Sequence, residues 1–169
     1  MNKQELRKWA KNERKKLNIK EKSKNLVKLL KTTKEYLDSK NILIFYPLKD
    51  EIDLLSLLED KTKNFYLPKI DGNDLLCCLY SKKTILCESC FGLKEPKNGV
   101  VEKTLIDLVI LPALCCDKKK YRLGYGKGFY DRFLKNCNVN KIICIPKELI
   151  VDTVFPEEHD IPADLIISY

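Results

Sequence analysis

Apolar and polar positions along this chain fall into two patterns: helical spacing at the start, and short solid apolar blocks after it. Asn2-x-x-Glu5 and Asn18-x-x-Glu21 each place an Asn three residues ahead of a Glu. At that spacing a capping side chain and a reciprocal carboxylate satisfy the orphan N–H groups of a helix start. After the second signal Leu26, Leu29, Leu30, Thr33 and Leu37 share one face, which predicts an amphipathic helix. The first helix is strongly basic, and Lys3 and Arg7, four apart, project from one side of it.

From Asn41 onward the pattern changes. Asn41–Tyr46 is a continuous apolar run closed by Pro47, short enough for a buried strand. Asp50 is placed to cap a helix carrying Leu54, Leu55, Leu57 and Leu58. Asn64–Leu67 predicts a strand ended by Pro68, and Leu75–Tyr80 with Thr84–Cys87 predicts an edge hairpin turning at Ser81–Lys83. Phe91–Val101, with two glycines and a proline, reads as loop. Ile106–Leu111 is a second buried strand. A glycine loop follows, then a helix to about Asn136 and strands at Lys141–Ile145 and Leu165–Ser168. Strands alternating with helices predict an α/β fold, an open and mostly parallel sheet covered on both faces. Ligands of such sheets gather beyond the carboxyl ends of the strands, here Tyr46-Pro47, Leu67-Pro68-Lys69 and Leu111-Pro112.

Length and charge narrow the picture. The 169 residues suit one domain, spanning 1–169, with a sizeable core. No apolar run reaches the roughly 18–20 residues of a membrane span, and Met1-Asn-Lys-Gln-Glu5 has no apolar leader pattern. A cytoplasmic protein is therefore expected, with no membrane partner. The net charge of +8 resides in residues 1–40, which hold 14 Lys/Arg against 5 Asp/Glu. That points either to an anionic partner or to a solvated basic helix face. A nucleic-acid partner is not expected, because only Trp9 and Tyr36 interleave with those charges. The eight cysteines read as reduced thiols. Cys87-x-x-Cys90 has the spacing of a zinc knuckle but lacks a matching second pair.

The chemistry concentrates in Arg122-Leu-Gly-Tyr-Gly-Lys-Gly-Phe-Tyr-Asp-Arg132, which holds three of the six glycines. Strand, glycine loop and helix together cradle phosphate, because glycines let main-chain N–H groups approach an anion. Arg122 and Lys127 add full positive charges. The loop is neither Gly-x4-Gly-Lys-Ser/Thr nor Gly-x-Gly-x-x-Gly. Asp131 is either a partner for Mg²⁺ near phosphates or compensation for a helix start. Glu158-His159-Asp160 offers a second carboxylate, on a loop between Pro156 and Pro162. Glu51 is either an acceptor for an amine-rich heterocycle or a first-turn acid.

These blocks together resemble the 5-formyltetrahydrofolate cyclo-ligase (methenyltetrahydrofolate synthetase) family, from Lys3 to Asp164. The strongest is Asp117-x4-Arg122-Leu-Gly-Tyr-Gly-Lys-Gly-Phe-Tyr-Asp-Arg132. Lys3-x-x-Leu-Arg7, Tyr46-x4-Glu-Ile-Asp53, Leu67-Pro68-Lys69, Phe91-Gly-Leu-Lys-Glu-Pro96 and His159-Asp-Ile-Pro-Ala-Asp164 stand in the family's order. The resemblance implies a three-layer α/β/α domain and an ATP- and Mg²⁺-dependent ligase converting 5-formyltetrahydrofolate to 5,10-methenyltetrahydrofolate, with ADP and phosphate released. It implies that Lys3 and Arg7 bind ATP, and that Arg122, Leu123, Gly124, Tyr125, Gly126, Lys127, Gly128, Phe129 and Tyr130 form the nucleotide loop. Lys127 and Arg122 would face the reacting phosphates, and Asp131 and Asp160 would ligate Mg²⁺. Tyr46, Glu51, Tyr125 and Phe129 would contact the folate. The implied chemistry phosphorylates the formyl oxygen, after which the neighbouring folate amine attacks the activated carbon. Such a reaction needs alignment and charge stabilisation rather than a side-chain nucleophile. The expected partner is a small molecule, the folate with or without a polyglutamate tail, and the expected state is a monomer. Three positions depart from the pattern: Lys120 stands in place of a glycine, Phe129 in place of the commoner tyrosine, and Lys147-Glu148 where a glutamine is expected. The alternative is a nucleotide-dependent enzyme of the same fold with another substrate.

Overall fold

The computed structural model describes residues 1–89 and 91–169. Its elements in chain order begin with helices α1 (Lys3–Arg14), α2 (Ile19–Thr32) and α3 (Lys34–Asp38), and strand β1 (Asn41–Leu43). A 3₁₀ turn (Leu55–Glu59) leads to β2 (Asn64–Asp71), β3 (Asp74–Tyr80), β4 (Leu86–Glu88), β5 (Lys94–Pro96) and β6 (Val100–Val101). After a turn at Lys103–Leu105 come β7 (Leu108–Leu111), β8 (Cys115–Asp117), β9 (Arg122–Leu123) and α4 (Phe129–Leu134). β10 (Asn140–Ile145), a turn at Lys147–Leu149, β11 (Ile150–Val151) and β12 (Leu165–Ser168) complete the chain.

Seven strands form one sheet in the order β12-β10-β7-β1-β2-β3-β6. The five from β12 to β2 are parallel, and β3 pairs antiparallel to β2. Alternate residues of the central strands feed two cores. Leu43, Val109, Leu111, Ile143 and Ile145 pack on one face with Leu6, Ala10, Phe133 and Leu134 of α1 and α4. Ile42, Ile44, Leu108, Ile110 and Ile142 pack on the other with Leu26, Val27, Leu30 and Tyr36 of α2 and α3. Each solid apolar block is thus a strand buried on both sides, which makes three layers.

Helix α1 starts as the capping pattern requires. The Asn2 side chain accepts from the Gln4 and Glu5 N–H groups while Glu5 accepts from Asn2 N–H at 2.8 Å. Asn18 caps α2 by accepting from Glu21 N–H at 3.2 Å, but Glu21 accepts from the Asn18 side-chain amide rather than from its backbone N–H. The predicted face of α2 is only partly the buried one. Leu29 is 40% and Leu37 61% exposed, and the core takes Ser23, Leu26, Val27, Leu30 and Tyr36. The helix breaks at Thr33, whose extended backbone closes α2 and whose hydroxyl caps α3. The face read across Thr33 therefore does not exist as one helix.

Four other expectations are corrected. Asp50 caps no helix. It is exposed, and the short 3₁₀ turn begins instead with Asp53 accepting from Leu55 N–H at 2.8 Å. Pro68 does not end β2, which runs on to Asp71. Tyr66 carbonyl accepts from Ile44 N–H, and Ile70 N–H reaches the Glu95 carboxyl rather than β3. Pro68 shares that edge, beyond the end of β1, so its missing N–H costs no ladder bond. The hairpin joins β2 to β3 through Gly72 and Asn73, with Gly72 at φ +60°. β4 instead pairs with β5 in a separate two-stranded ribbon, so part of the expected Phe91–Val101 loop is strand. The glycine loop does not follow β7 directly either. The β8–β9 hairpin intervenes, and α4 spans six residues and stops at Leu134.

That hairpin is organised by Asp117, which is 1% exposed. Its carboxyl accepts from the Lys119, Tyr121 and Val154 N–H groups. Lys120, which stands where the resemblance expects glycine, sits at φ +71°. The backbone there is left-handed, the conformation glycine adopts without strain.

Candidate active site

Beyond the carboxyl ends of β1 and β7, where Tyr46 and Pro112 emerge, and against Pro68 and Ile70 of β2, the structure has a cleft of about 520 Å³. All fifteen residues singled out from the sequence line it. They come from α1, the segment after β1, the glycine loop with the start of α4, and the loop before β12. Sequence reasoning assigned no role to others that line it: Phe91, Leu93, Lys94 and Glu95, from a block that carries the resemblance, and Glu157.

One end of the cleft is cationic. Lys3 Nζ donates to Glu157 Oε1 at 2.7 Å and Asp160 Oδ2 at 2.9 Å. Arg7 Nε donates to Gly124 carbonyl at 2.9 Å, tying α1 to the glycine loop. A Cβ on Gly126 would lie 3.3 Å from the Arg7 guanidinium carbon, and Gly126 has φ +95°. Close approach and backbone conformation both require glycine there. Gly128, at φ +69°, opens α4. A helix of six residues adds little macrodipole, so the positive potential rests on Lys3, Arg7, Arg122 and Lys127. Lys127 is exposed on the loop, with its ammonium 5.4 Å from the Phe91 ring centroid.

Arg122 and Asp131 form an ion pair at 3.2 Å, and Arg122 lies over the Tyr130 ring at 5.4 Å. Two buried polar atoms among the described residues have no hydrogen-bond partner, Arg122 Nε and Tyr130 Oη. Burial pushes the Tyr130 phenol well above its usual range, against the opposing charge of Arg122, so it stays protonated. Buried donors left unpaired are costly unless a ligand takes the bond, and both residues line the cleft.

Asp131 and Asp160 both line the cleft. Ile161 N–H donates to Asp131 Oδ1 at 3.2 Å, tying the residue after Asp160 to α4. Burial alone would raise the Asp160 pKa, but the Glu157 N–H and Lys3 ammonium hold it below the ordinary value. No cluster of three or more acidic, histidine or cysteine ligands occurs among the described residues. Two hard carboxylates do fit Mg²⁺, which is ordinarily held by one or two carboxylates with phosphate oxygens and water. The Cys87-x-x-Cys90 pattern includes a residue outside the described ones.

The other end is apolar and aromatic. Phe45, Leu48, Ile70 and Leu93 line it, with Tyr46 under the Lys94 ammonium at 5.5 Å and Phe91 edge-on to Phe129 at 6.0 Å. Glu51 is 6% exposed. Its Oε2 accepts from Leu48 N–H at 2.9 Å and its Oε1 from Tyr125 Oη at 2.6 Å. Behind it Arg14, equally buried, donates to Tyr125 Oη at 3.2 Å and to Ala113 carbonyl. Sequence reasoning missed Arg14, although Lys3, Arg7, Ala10 and Arg14 form one helical stripe. A basic residue in line with Leu6 and Ala10 was the available signal.

Comparison with known proteins agrees with the geometry. Residues 1–169 match the family model described as 5-formyltetrahydrofolate cyclo-ligase family. The chain is 32% identical over 147 residues to the 5-formyltetrahydrofolate cyclo-ligase of Haemophilus influenzae, covering 79% of each. It is 28% identical over 152 residues to that of Mus musculus, covering 79% of this chain and 75% of the relative. The solution structure of Aquifex aeolicus 5,10-methenyltetrahydrofolate synthetase superposes with a TM-score of 0.87 at 32% identity, over 99% of this chain and 90% of that one. A Mycoplasma pneumoniae 5,10-methenyltetrahydrofolate synthetase shares the fold at a TM-score of 0.78 and 24% identity, over 99% of this chain and 98% of the other.

Proposed function

This chain belongs to the 5-formyltetrahydrofolate cyclo-ligase family, and we propose that its cleft binds ATP with Mg²⁺ at the cationic end and 5-formyltetrahydrofolate at the aromatic end. The protein is an enzyme, a ligase of folate and one-carbon metabolism that closes 5-formyltetrahydrofolate to 5,10-methenyltetrahydrofolate. The observation that carries the reading of the cleft is convergence: stretches of chain far apart in sequence deliver cations, two carboxylates, a glycine loop and an aromatic pocket to one cavity.

The nucleotide supplies the phosphoryl group that activates the formyl oxygen, and Mg²⁺ would neutralise phosphate charge. The side chains do the rest. Lys3 and Arg7 from α1, with Arg122 and Lys127 from the loop, hold the phosphates and stabilise the charge spread over the transferring group. The backbone from Leu123 to Gly128 approaches the phosphates closely because its glycines carry no Cβ. Arg122 Nε and Tyr130 Oη give their unused donors to the ligand. Asp131 and Asp160, paired here with Arg122 and Lys3, would hold Mg²⁺. Tyr46, Glu51, Tyr125 and Phe129 orient the folate so that its formyl oxygen faces the phosphates. Phe45, Leu93 and Phe91 exclude water, which would otherwise take the phosphoryl group. No side-chain nucleophile is required.

No helix among the described residues is long and apolar enough to cross a membrane, in keeping with action in the cytoplasm. A monomer suffices, since one chain furnishes the whole cleft. Exposed Lys8 and Lys11 on α1, with Lys15 just past its end, offer a field for a polyglutamate tail. The test is nucleotide turnover. One ADP released per 5-formyltetrahydrofolate consumed, and none without folate, is expected. ADP release indifferent to this folate would favour another substrate on the same fold.

A further inference from the structure

The side chains behind Glu51 have a direction. Arg14 can only donate hydrogen bonds, so the Tyr125 oxygen that faces it at 3.2 Å must accept. The Tyr125 proton is then committed to Glu51 Oε1, 2.6 Å away. Burial and the Glu51 charge push the Tyr125 phenol up, which keeps that proton in place. Leu48 N–H occupies Glu51 Oε2 at 2.9 Å. The Arg14 guanidinium lies 3.9 Å from Glu51 Oε1 and compensates a carboxyl that is nearly fully buried. Arg14 is itself pinned by Ala113 carbonyl, and α1 is pinned to the same loop by Arg7 on Gly124.

We propose that Arg14 is a positioning residue for substrate recognition: it sets the polarity of a relay, Arg14 to Tyr125 to Glu51, that leaves Glu51 a pure acceptor toward the N–H edge of the bound pterin ring. The proposal rests on reading the Glu51 end of the cleft as the folate end. Its consequence is a division of labour along one helix. Lys3 and Arg7 serve the nucleotide, while Arg14, two turns further on, serves the folate. A reversed relay, in which Tyr125 turned its proton away from Glu51, would let the carboxyl take a proton and offer a donor where the substrate also offers donors.

Two substitutions separate this role from packing. Arg14→Gln has an amide oxygen that can accept the Tyr125 proton and so permits reversal, whereas Arg14→Lys is again a pure donor. Binding of 5-formyltetrahydrofolate and of ATP is measured by calorimetry, and KM for each in steady state, with melting curves for both variants. Arg14→Gln is expected to weaken folate binding about 10- to 100-fold, the range for a lost charge-assisted hydrogen bond. ATP binding should stay within about twofold, and Arg14→Lys should recover most of the folate affinity. If Arg14→Gln does not fold, Tyr125→Phe removes the relay hydroxyl alone and must weaken folate binding in the same selective way. Equal losses for both ligands, or no rescue by lysine, overturn the relay. Wild-type protein that fails to bind 5-formyltetrahydrofolate overturns the folate reading and this proposal with it. Wild-type binding with an unchanged Arg14→Gln overturns the proposal alone.

Discussion

Replacing Lys127 with alanine should separate catalysis from stability. The side chain is exposed on the glycine loop, makes no ion pair among the described residues, and has the Phe91 ring 5.4 Å away. An exposed cation–π contact contributes about 0.5–1 kcal/mol. In a domain of this size each kcal/mol moves the melting temperature by about 2–4 °C, so the variant should melt within about 4 °C of the parent. The loss in turnover should be far larger. Removing one preorganised group that stabilises transition-state charge typically costs about 3–4 kcal/mol, or roughly 10²–10³ in kcat. Thermal melts and steady-state ADP release on the same preparations give both numbers. A variant turning over within tenfold of the parent would remove Lys127 from the phosphates. One melting more than about 10 °C lower would refute the claim that the loop lysine does little packing.

Glu51→Gln keeps the size of the side chain but weakens it as an acceptor. It should raise KM for 5-formyltetrahydrofolate at least about tenfold, with KM for ATP nearly unchanged, because Glu51 sits at the aromatic end among Tyr125, Leu48 and Arg14. Acid should loosen the strap between α1 and the loop before β12. Burial would raise the Asp160 pKa, but the Glu157 N–H and Lys3 lower it below 3.8. A carboxyl with a depressed folded pKa contributes stability above its unfolded value and loses it as pH falls through the folded one. The difference in melting temperature between parent and Asp160→Asn should therefore shrink below pH 3.8 and be constant above it. Burial pushes the thiols of Cys77, Cys115, Cys116 and Cys144 up to about 12. Iodoacetamide on native protein should leave these four unmodified while labelling exposed Cys87, read by peptide mass spectrometry.

The layout of the sheet was legible wherever one physical cause dominated. Asn41–Tyr46, Ile106–Leu111 and Lys141–Ile145 are solid apolar blocks because both faces are covered, and each contains a central strand. Caps at Asn2 and Asn18 were legible because they depend only on neighbouring backbone groups. What failed depended on partners distant in sequence. Pro68 reads as a breaker until β1 is seen to end before it, and β3 reads as half of the wrong hairpin because its partner lies upstream, across Gly72. The stripe through Leu29 and Leu37 misled because Thr33 ends one helix and caps the next. At the site, residues that face a ligand stood out by their glycines and charges. Arg14 did not, since the same helix offers four other basic side chains and only the fold shows which one is buried.

The most direct test of the account is the absorbance of the methenyl product when purified protein, 5-formyltetrahydrofolate, Mg²⁺ and ATP are mixed at mildly acidic pH. A rise in the methenyl-folate band that appears only with ATP present and falls away in the Lys127→Ala variant is expected. No rise, from protein that still binds ATP by calorimetry, would contradict it and leave a nucleotide site serving some other substrate.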